Sequence, residues 1–262
     1  MKAYVQFARK AFRRKSVYRL EYFLGLFNAV LTIFIGAAIW DAVYNDASVI
    51  DGIGRSQMIT YAVLGMVMRT MLTMNEFIID GKIRSGEIAV DLLKPLRFPR
   101  YVFSVVLGEV GFGLWTKVLP VLALSFVAFR LELPESPFVA LLFVVSLLFA
   151  YLLLYALNYI FWLFAFWIHH TWSMVTIKNA LLMLLSGATI PLWFLPEKLE
   201  RIFSVLPFRH VYYTPLSLYL GKIEPSEVPG IFAQEIGWIV ALYAIGRLLW
   251  RRAQLKLTVQ GG

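Results

Sequence analysis

Residues 138–157 read FVALLFVVSLLFAYLLLYAL, twenty consecutive positions without a charge. A backbone inside such a run meets little water, so its N–H and C=O groups must pair with one another. A helix does this within one segment, and about 20 residues at 1.5 Å each cover the roughly 30 Å hydrocarbon core of a bilayer. A closed barrel would need strict alternation of apolar and polar residues, which this run lacks. Comparable runs recur, and six spans are expected: Tyr22–Tyr44, Met58–Ile79, Val102–Phe129, Phe138–Trp167, Met174–Phe194 and Ile231–Leu249. The third and fourth run well past about 20 residues and must tilt, kink or run past the hydrocarbon. Hydrophobic residues make up 60% of the 262 positions, against about 45–50% in soluble domains. That surplus cannot be hidden in one water-facing globule. The expected fold is an all-α polytopic membrane protein, with one transmembrane domain over residues 1–262.

A net charge of +9 raises the question of nucleic acid. The cations instead gather at the edges of the apolar runs, where headgroups and topology account for them, so no nucleic-acid partner is expected. Lys2, Arg9, Lys10, Arg13, Arg14, Lys15 and Arg19 precede the first span. Lys82, Arg84, Lys94, Arg97 and Arg100 fill the second loop, and Arg247, Arg251, Arg252 and Lys256 the tail. The first and third loops hold only Arg55 and Arg130, while the fifth, with Lys198, Arg201, Arg209 and Lys222, is the exception. The asymmetry puts both termini and the second loop in the cytoplasm. The first apolar run begins near Tyr22 and is too long for a cleavable signal. The chain has no cysteine, which removes disulfides, thiolate metal sites and cysteine nucleophiles.

Three segments outside the spans have their own pattern. In KAYVQFARKAFRRK, Tyr4, Phe7, Ala8, Ala11 and Phe12 recur at helical spacing opposite Arg9, Lys10, Arg13 and Arg14. This predicts an interfacial helix on the cytoplasmic side within residues 1–20, or else a plain topogenic charge cluster. Within residues 80–100, Ile88, Ala89, Leu92, Leu93 and Leu96 fall on one helical face. Arg84, Glu87, Asp91 and Lys94 lie opposite, Asp80 or Ser85 is placed to cap, and Pro95 ends the helix. The alternative is an ordinary membrane-surface loop. The third segment, residues 191–230, is too apolar for a free loop and is cut by Pro191, Pro196, Pro207 and Pro215. It reads as short outer-side helices, re-entrant or resting on the surface.

Arg69, Glu76, Glu109 and Lys117 lie within or beside predicted spans and need partners or water. Glu76 sits near the cytoplasmic end of its span. Glu109 and Lys117 are about 12 Å apart along one helix, too far to pair directly. They face a polar conduit or find partners on other helices. The glycines of GEVGFG, Gly108, Gly111 and Gly113, suit close helix approach. Adjacent His169 and His170 point about 100° apart on a helix and do not suit one metal. Met66, Met68, Met71 and Met74 read as soft packing.

Two stretches together carry a resemblance. IRSGEIAVDLLKP after the second span and SGATIPLWFLPEKLERIFSVLPFRHVYYTPLSLYLG after the fifth are similar to the ABC-2-type permease family, in its small six-span bacterial branch. The ordered set Gly187, Pro191, Pro196, Leu206, Pro207, Phe208, Tyr213, Pro215 and Gly221 carries the outer-side match. The resemblance implies the membrane half of an exporter in a bacterial plasma membrane, working as a dimer with an identical or homologous permease. It also implies that a separate ABC ATPase subunit docks on Ile83, Arg84, Gly86, Glu87, Val90, Asp91, Leu93, Lys94 and Pro95. ATP and Mg would then belong to that partner, with no cofactor in this chain. Independently, neither Gly81-Lys82 nor Gly221-Lys222 has the glycine six positions before the lysine or the Ser/Thr after it that a P-loop requires. The rival readings are a stand-alone secondary transporter or channel, and an integral membrane enzyme. The first needs inverted repeats or intramembrane carboxylates, the second a clustered catalytic set, and the chain is poor in all of these. Lipids, hydrophobic drugs, peptides and glycolipids all suit so apolar a chain as cargo.

Overall fold

The computed structural model describes residues 2–15, 19–45, 47–168 and 170–256. The regular structure of the described residues is helical, apart from one two-stranded hairpin. Its helices are α1 (Lys2–Lys15), α2 (Arg19–Tyr44), α3 (Arg55–Met71), α4 (Ile78–Arg84), α5 (Glu87–Leu93), α6 (Phe98–Gly113) and α7 (Leu119–Phe129). They continue with α8 (Pro137–Leu163), α9 (Trp172–Leu185), α10 (Glu197–Val205), α11 (Tyr213–Tyr219) and α12 (Val228–Gln254).

Four helical stretches are long and apolar enough to cross a membrane: Phe23–Tyr44, Phe98–Phe129, Pro137–Phe166 and Val228–Gln254. The second is α6 and α7 joined by a π-helical turn, Leu114–Val118, with Pro120 just beyond it. Proline withholds one backbone N–H and the π turn reroutes the rest, which is how a long helix bends. The fourth predicted span, α8, runs unbroken for 27 residues. Ser136 caps it by accepting a hydrogen bond from the Val139 N–H, and Pro137 opens it.

Two predicted spans stop early. The second was expected to run to Ile79, but α3 ends at Met71 after 17 residues, about 26 Å. Residues 72–77 leave helical geometry although Leu72 and Met74 are buried. The fifth was expected to reach Phe194, but α9 ends at Leu185 after 14 residues, about 21 Å. Gly187 at φ +74° explains that stop. A Cβ there would lie 2.8 Å from the Tyr213 Cβ and 3.2 Å from the Tyr61 hydroxyl. Tyr61 donates to the Gly187 carbonyl at 2.7 Å, and the Tyr213 N–H bonds the Ser186 carbonyl at 3.0 Å. Apolarity extends past both ends, so the apolar pattern gave no stop signal.

The connection between α2 and α3 is fastened by hairpin β1 (Val49–Ile50) and β2 (Ile53–Gly54), turned by Asp51-Gly52 with both φ positive. Tyr44 donates to the Ile53 carbonyl at 3.0 Å, and Arg55 pairs with Asp41 at 2.6 Å.

At the other end, α1 lies along α6. The Arg97 N–H donates to the Tyr4 hydroxyl at 3.1 Å. Phe7 meets Tyr101 edge-on at 4.9 Å, and Phe12 meets Phe112 edge-on at 5.3 Å. Between them the helices touch backbone to backbone, since a Cβ on Gly108 would fall 2.1 Å from the Ala8 carbonyl oxygen. The expected apolar face of α1 is thus the face that packs on protein. Gly108→Ala should cost about 1–3 kcal/mol through overpacking. It should lower the thermal midpoint of the purified protein and open residues 2–15 to added protease. An unchanged midpoint and digestion pattern would remove this contact from the fold.

Candidate functional site

The segment following α3 folds into two short helices joined by one left-handed residue. Gly86 sits at φ +74°, a conformation that costs other residues about 1 kcal/mol or more. The Glu87 N–H bonds the Ser85 hydroxyl at 3.4 Å, while Asp80, the other candidate cap, pairs with Arg84 at 2.8 Å. Lys94 is extended, as a residue before proline must be, and so α5 ends at Leu93 ahead of Pro95.

The centre of this segment is Asp91. Its side chain is only 5% exposed and accepts hydrogen bonds from Lys82 and Lys94, each at 2.6 Å. Lys82 also reaches the Tyr101 hydroxyl at 3.4 Å, and Lys94 lies over the Phe7 and Tyr101 rings at 5.6 and 5.2 Å. One carboxylate thereby joins α4, α5, α6 and α1. Burial alone would raise the Asp91 pKa, but the two ammonium groups outweigh it and hold the carboxyl below the usual range. Burial likewise pulls Lys82 down, and the hydrogen bonds and charges of Asp91 and Tyr101 more than restore it.

This arrangement inverts part of the expected amphipathic pattern. The helical spacing puts Asp91 on the charged face and Leu93 on the apolar one. In the structure Ile88 and Asp91 are buried, whereas Val90 is 59% and Leu93 86% exposed. The reason is Lys82, nine residues away on another helix, which draws the carboxylate inward. Val90 and Leu93, with exposed Glu87 beside them, form an apolar ridge on a firmly anchored helix. Ile83 is half-buried and packs on the core, and Arg84 remains exposed.

The four flagged intramembrane charges have different fates. Glu109 pairs with Arg14 of α1 at 2.8 Å, with the carboxylate side chain 9% exposed. Glu76, in the non-helical stretch after α3, binds Lys178 at 2.5 Å. Arg69 is exposed on α3. Lys117, in the π turn, is half-buried with no hydrogen bond or ion pair among the described residues. Lys178 itself was overlooked. It is 1% exposed in the middle of α9 and also donates to Asn158 Oδ1 of α8 at 2.6 Å. The signal was present, because a lysine inside an apolar span needs a partner on another helix.

A second polar cluster lies toward the other end of α8. Glu235 of α12 and His210 are both fully buried, with Glu235 Oε1 3.5 Å from His210 Nδ1 and 3.4 Å from the Ser146 hydroxyl. His210 Nδ1 also lies 3.1 Å from the Thr214 hydroxyl. Glu235 too was overlooked, although it falls inside a predicted span.

The outer-side residues divide by role. Gly187 and Tyr213 meet directly, as described. Pro191 and Pro196 precede a 3₁₀ turn (Leu192–Phe194) and α10. Leu206 and Pro207 open another 3₁₀ turn (Pro207–His210) that includes half-buried Phe208. Pro215 lies in the first turn of α11, and Gly221 follows that helix at φ +64°, where a Cβ would strike Glu135. Every residue from Thr214 to Tyr219 is buried, so α11 is interior, while α10 has no buried residue. Gln234 and Trp238 of α12 donate to the Ser204 and Val205 carbonyls at 3.0 Å each, closing the end of α10.

No group of three or more metal-ligating side chains occurs among the described residues. His169 lies outside them, so the His169–His170 pair is not described. The family model described as "ABC-2 family transporter protein" matches residues 27–261. No curated protein matches the chain significantly.

The Asp91 hub carries a signed pH prediction. Because the folded carboxyl pKa is depressed, its contribution is complete above the unfolded value of about 4 and fades as pH falls through the lower folded value. Asp91→Asn should therefore cost about 1–3 kcal/mol at pH 7 by leaving two lysines without their acceptor. The gap to wild type should close in acid below about pH 4. Chemical denaturation of both proteins across pH checks this, and a gap that is constant with pH would remove the ion pairs as its cause.

Proposed function

The chain belongs to the ABC-2 family of transporter proteins, and from that we propose that it is the permease subunit of an ATP-driven exporter. In this reading a separate ABC ATPase seats against residues 80–100, and the cargo is amphipathic or hydrophobic. The chain works as a dimer with an identical or homologous permease in a bacterial plasma membrane, both termini cytoplasmic. The four long helices, with shorter α3 and α9, make six crossings.

The observation that carries the reading is the ridge of Val90 and Leu93 on α5. Two large apolar side chains exposed on a seven-residue helix are costly unless something covers them. The helix beneath is fixed through Asp91 to α4, α6 and α1, so a push on the ridge moves those helices together. That is the property a coupling element needs. The cationic asymmetry between loops supports a cytoplasmic position for this face. Lys82 supports the need for a partner motor: it is committed to Asp91 and lacks the P-loop sequence around it. ATP binding in the partner would then close the two ATPases and tilt the permease pair between inward- and outward-open states.

The ridge points to the variants that would report on docking. Asp91 holds the helix in place, so reversing its charge would disturb the anchor. Val90→Asp with Leu93→Asp leaves the anchor intact and removes the apolar contact, at about 1.5–3 kcal/mol per fully buried side chain. Co-expressed with its ATPase, this double variant should still reach the membrane. It should recover at least about tenfold less ATPase on affinity purification, at 1.4 kcal/mol per factor of ten, and lose cargo-stimulated hydrolysis. Full recovery of the ATPase would overturn the docking assignment.

A further inference from the structure

Lys117 is a half-buried charge that the described residues leave without a partner. It lies within Phe98–Phe129, a stretch apolar enough to cross a membrane, and among the described residues it has no ion pair or hydrogen bond. A lysine in such a position is expensive unless an anion or water meets it. The π turn that carries it belongs to a class of helix irregularity that recurs where a helix has been shaped for a ligand.

The surroundings have room for that anion. Lys117 borders a cavity of about 390 Å³ between the end of α3, α6 and the π turn, a size within the roughly 300–1,000 Å³ of small-molecule sites. Lys15 at the end of α1 lines the same cavity and likewise makes no ion pair or hydrogen bond among the described residues. Asn75 contributes an amide whose oxygen is already used by the Phe77 N–H, leaving its N–H groups to donate. Among the described residues the lining carboxylate is Glu109, which is already engaged by Arg14. Its threonines are spent as donors, Thr70 on the Met66 carbonyl and Thr73 on the Arg69 carbonyl. The described polar lining therefore offers two uncommitted cations and one amide donor, beside apolar walls that include Met71 and Phe112.

The opposite helix makes space for the ammonium. A Cβ built on Gly25 of α2 would stand 2.6 Å from Lys117 Nζ, so any other residue there would push the cation away. Gly25 lies six residues into α2, about 9 Å from its start, which puts the cation near the inner end of the helix. Positive groups at that depth, next to apolar walls, fit a headgroup rather than a wholly buried ligand.

We propose that this cavity binds the anionic head of one acyl amphiphile, a phosphate-bearing lipid of the inner leaflet. The head lies between Lys15 and Lys117, and the acyl chain passes along the Met71–Phe112 side. The site goes beyond the transport reading and needs no ATPase.

The purified full chain is placed in zwitterionic nanodiscs, and phosphatidylglycerol is titrated in. Bound lipid is counted by native mass spectrometry and the thermal midpoint is followed. Wild type should retain one phosphatidylglycerol at least tenfold more tightly than phosphatidylcholine and gain thermal stability as it binds. Lys117→Gln and Gly25→Val should each weaken that retention about tenfold. Lys117→Gln should be no less stable than wild type in zwitterionic lipid alone, since it removes an unmet charge, and this separates lost binding from lost folding. Equal retention of both lipids, or unchanged retention in both variants, would overturn the site. Displacement of the lipid by millimolar inorganic phosphate would show that a free anion is the occupant, and would overturn the lipid assignment.

Discussion

The structure depends on how a mostly apolar chain meets its few interior charges. Each buried ion must find an opposite charge and hydrogen bonds, because the low-dielectric surroundings supply nothing else. Asp91 does this between Lys82 and Lys94, and Lys178 does it between Glu76 and Asn158. Apolar contacts in such a setting are interchangeable and fix position weakly. The ion pairs are directional, and they fix how the helices they join sit against one another. Asp91 gathers α4, α5, α6 and α1, while Lys178 ties α9 to α8 and to the unwound end of α3.

These two centres are close in sequence, with Glu76 only two residues ahead of α4. From Lys178 the body of α9 runs to Gly187, where Tyr61 of α3 and Tyr213 of α11 hold its end. A continuous series of polar contacts and stiff helices therefore connects the α4–α5 corner with the interior helix α11. This is spatial continuity, and transmission along it would require two discrete arrangements of these contacts.

Much of the architecture was legible because apolar runs report helices. Tyr44 and Phe129 end α2 and α7 where the sequence placed them, and the long fourth run is one continuous helix. The resemblance to the ABC-2 family, carried by the two stretches that follow the second and fifth predicted spans, agrees with the match over residues 27–261. The expected six spans are matched by length at four helices only, and α3 and α9 stop short. Their ends are set by tertiary contacts at Gly187 and around Glu76, which periodicity does not encode. The faces of α5 were misassigned at Asp91 and Leu93 for the same reason, because the deciding partner, Lys82, lies on a neighbouring helix. Lys178 and Glu235 differ: each was visible as a charge inside an apolar span and was simply passed over.

The central claim is that the Leu93 ridge is a cytoplasmic seat covered by a partner. The chain has no cysteine, so Leu93→Cys gives a single reactive site. Labelling with a membrane-impermeant maleimide, in intact cells and in inverted vesicles, with and without the co-expressed ATPase, reads side and cover together. The account predicts labelling in inverted vesicles only, suppressed when the ATPase is present. Labelling in intact cells, or equal labelling with and without the ATPase, would contradict it.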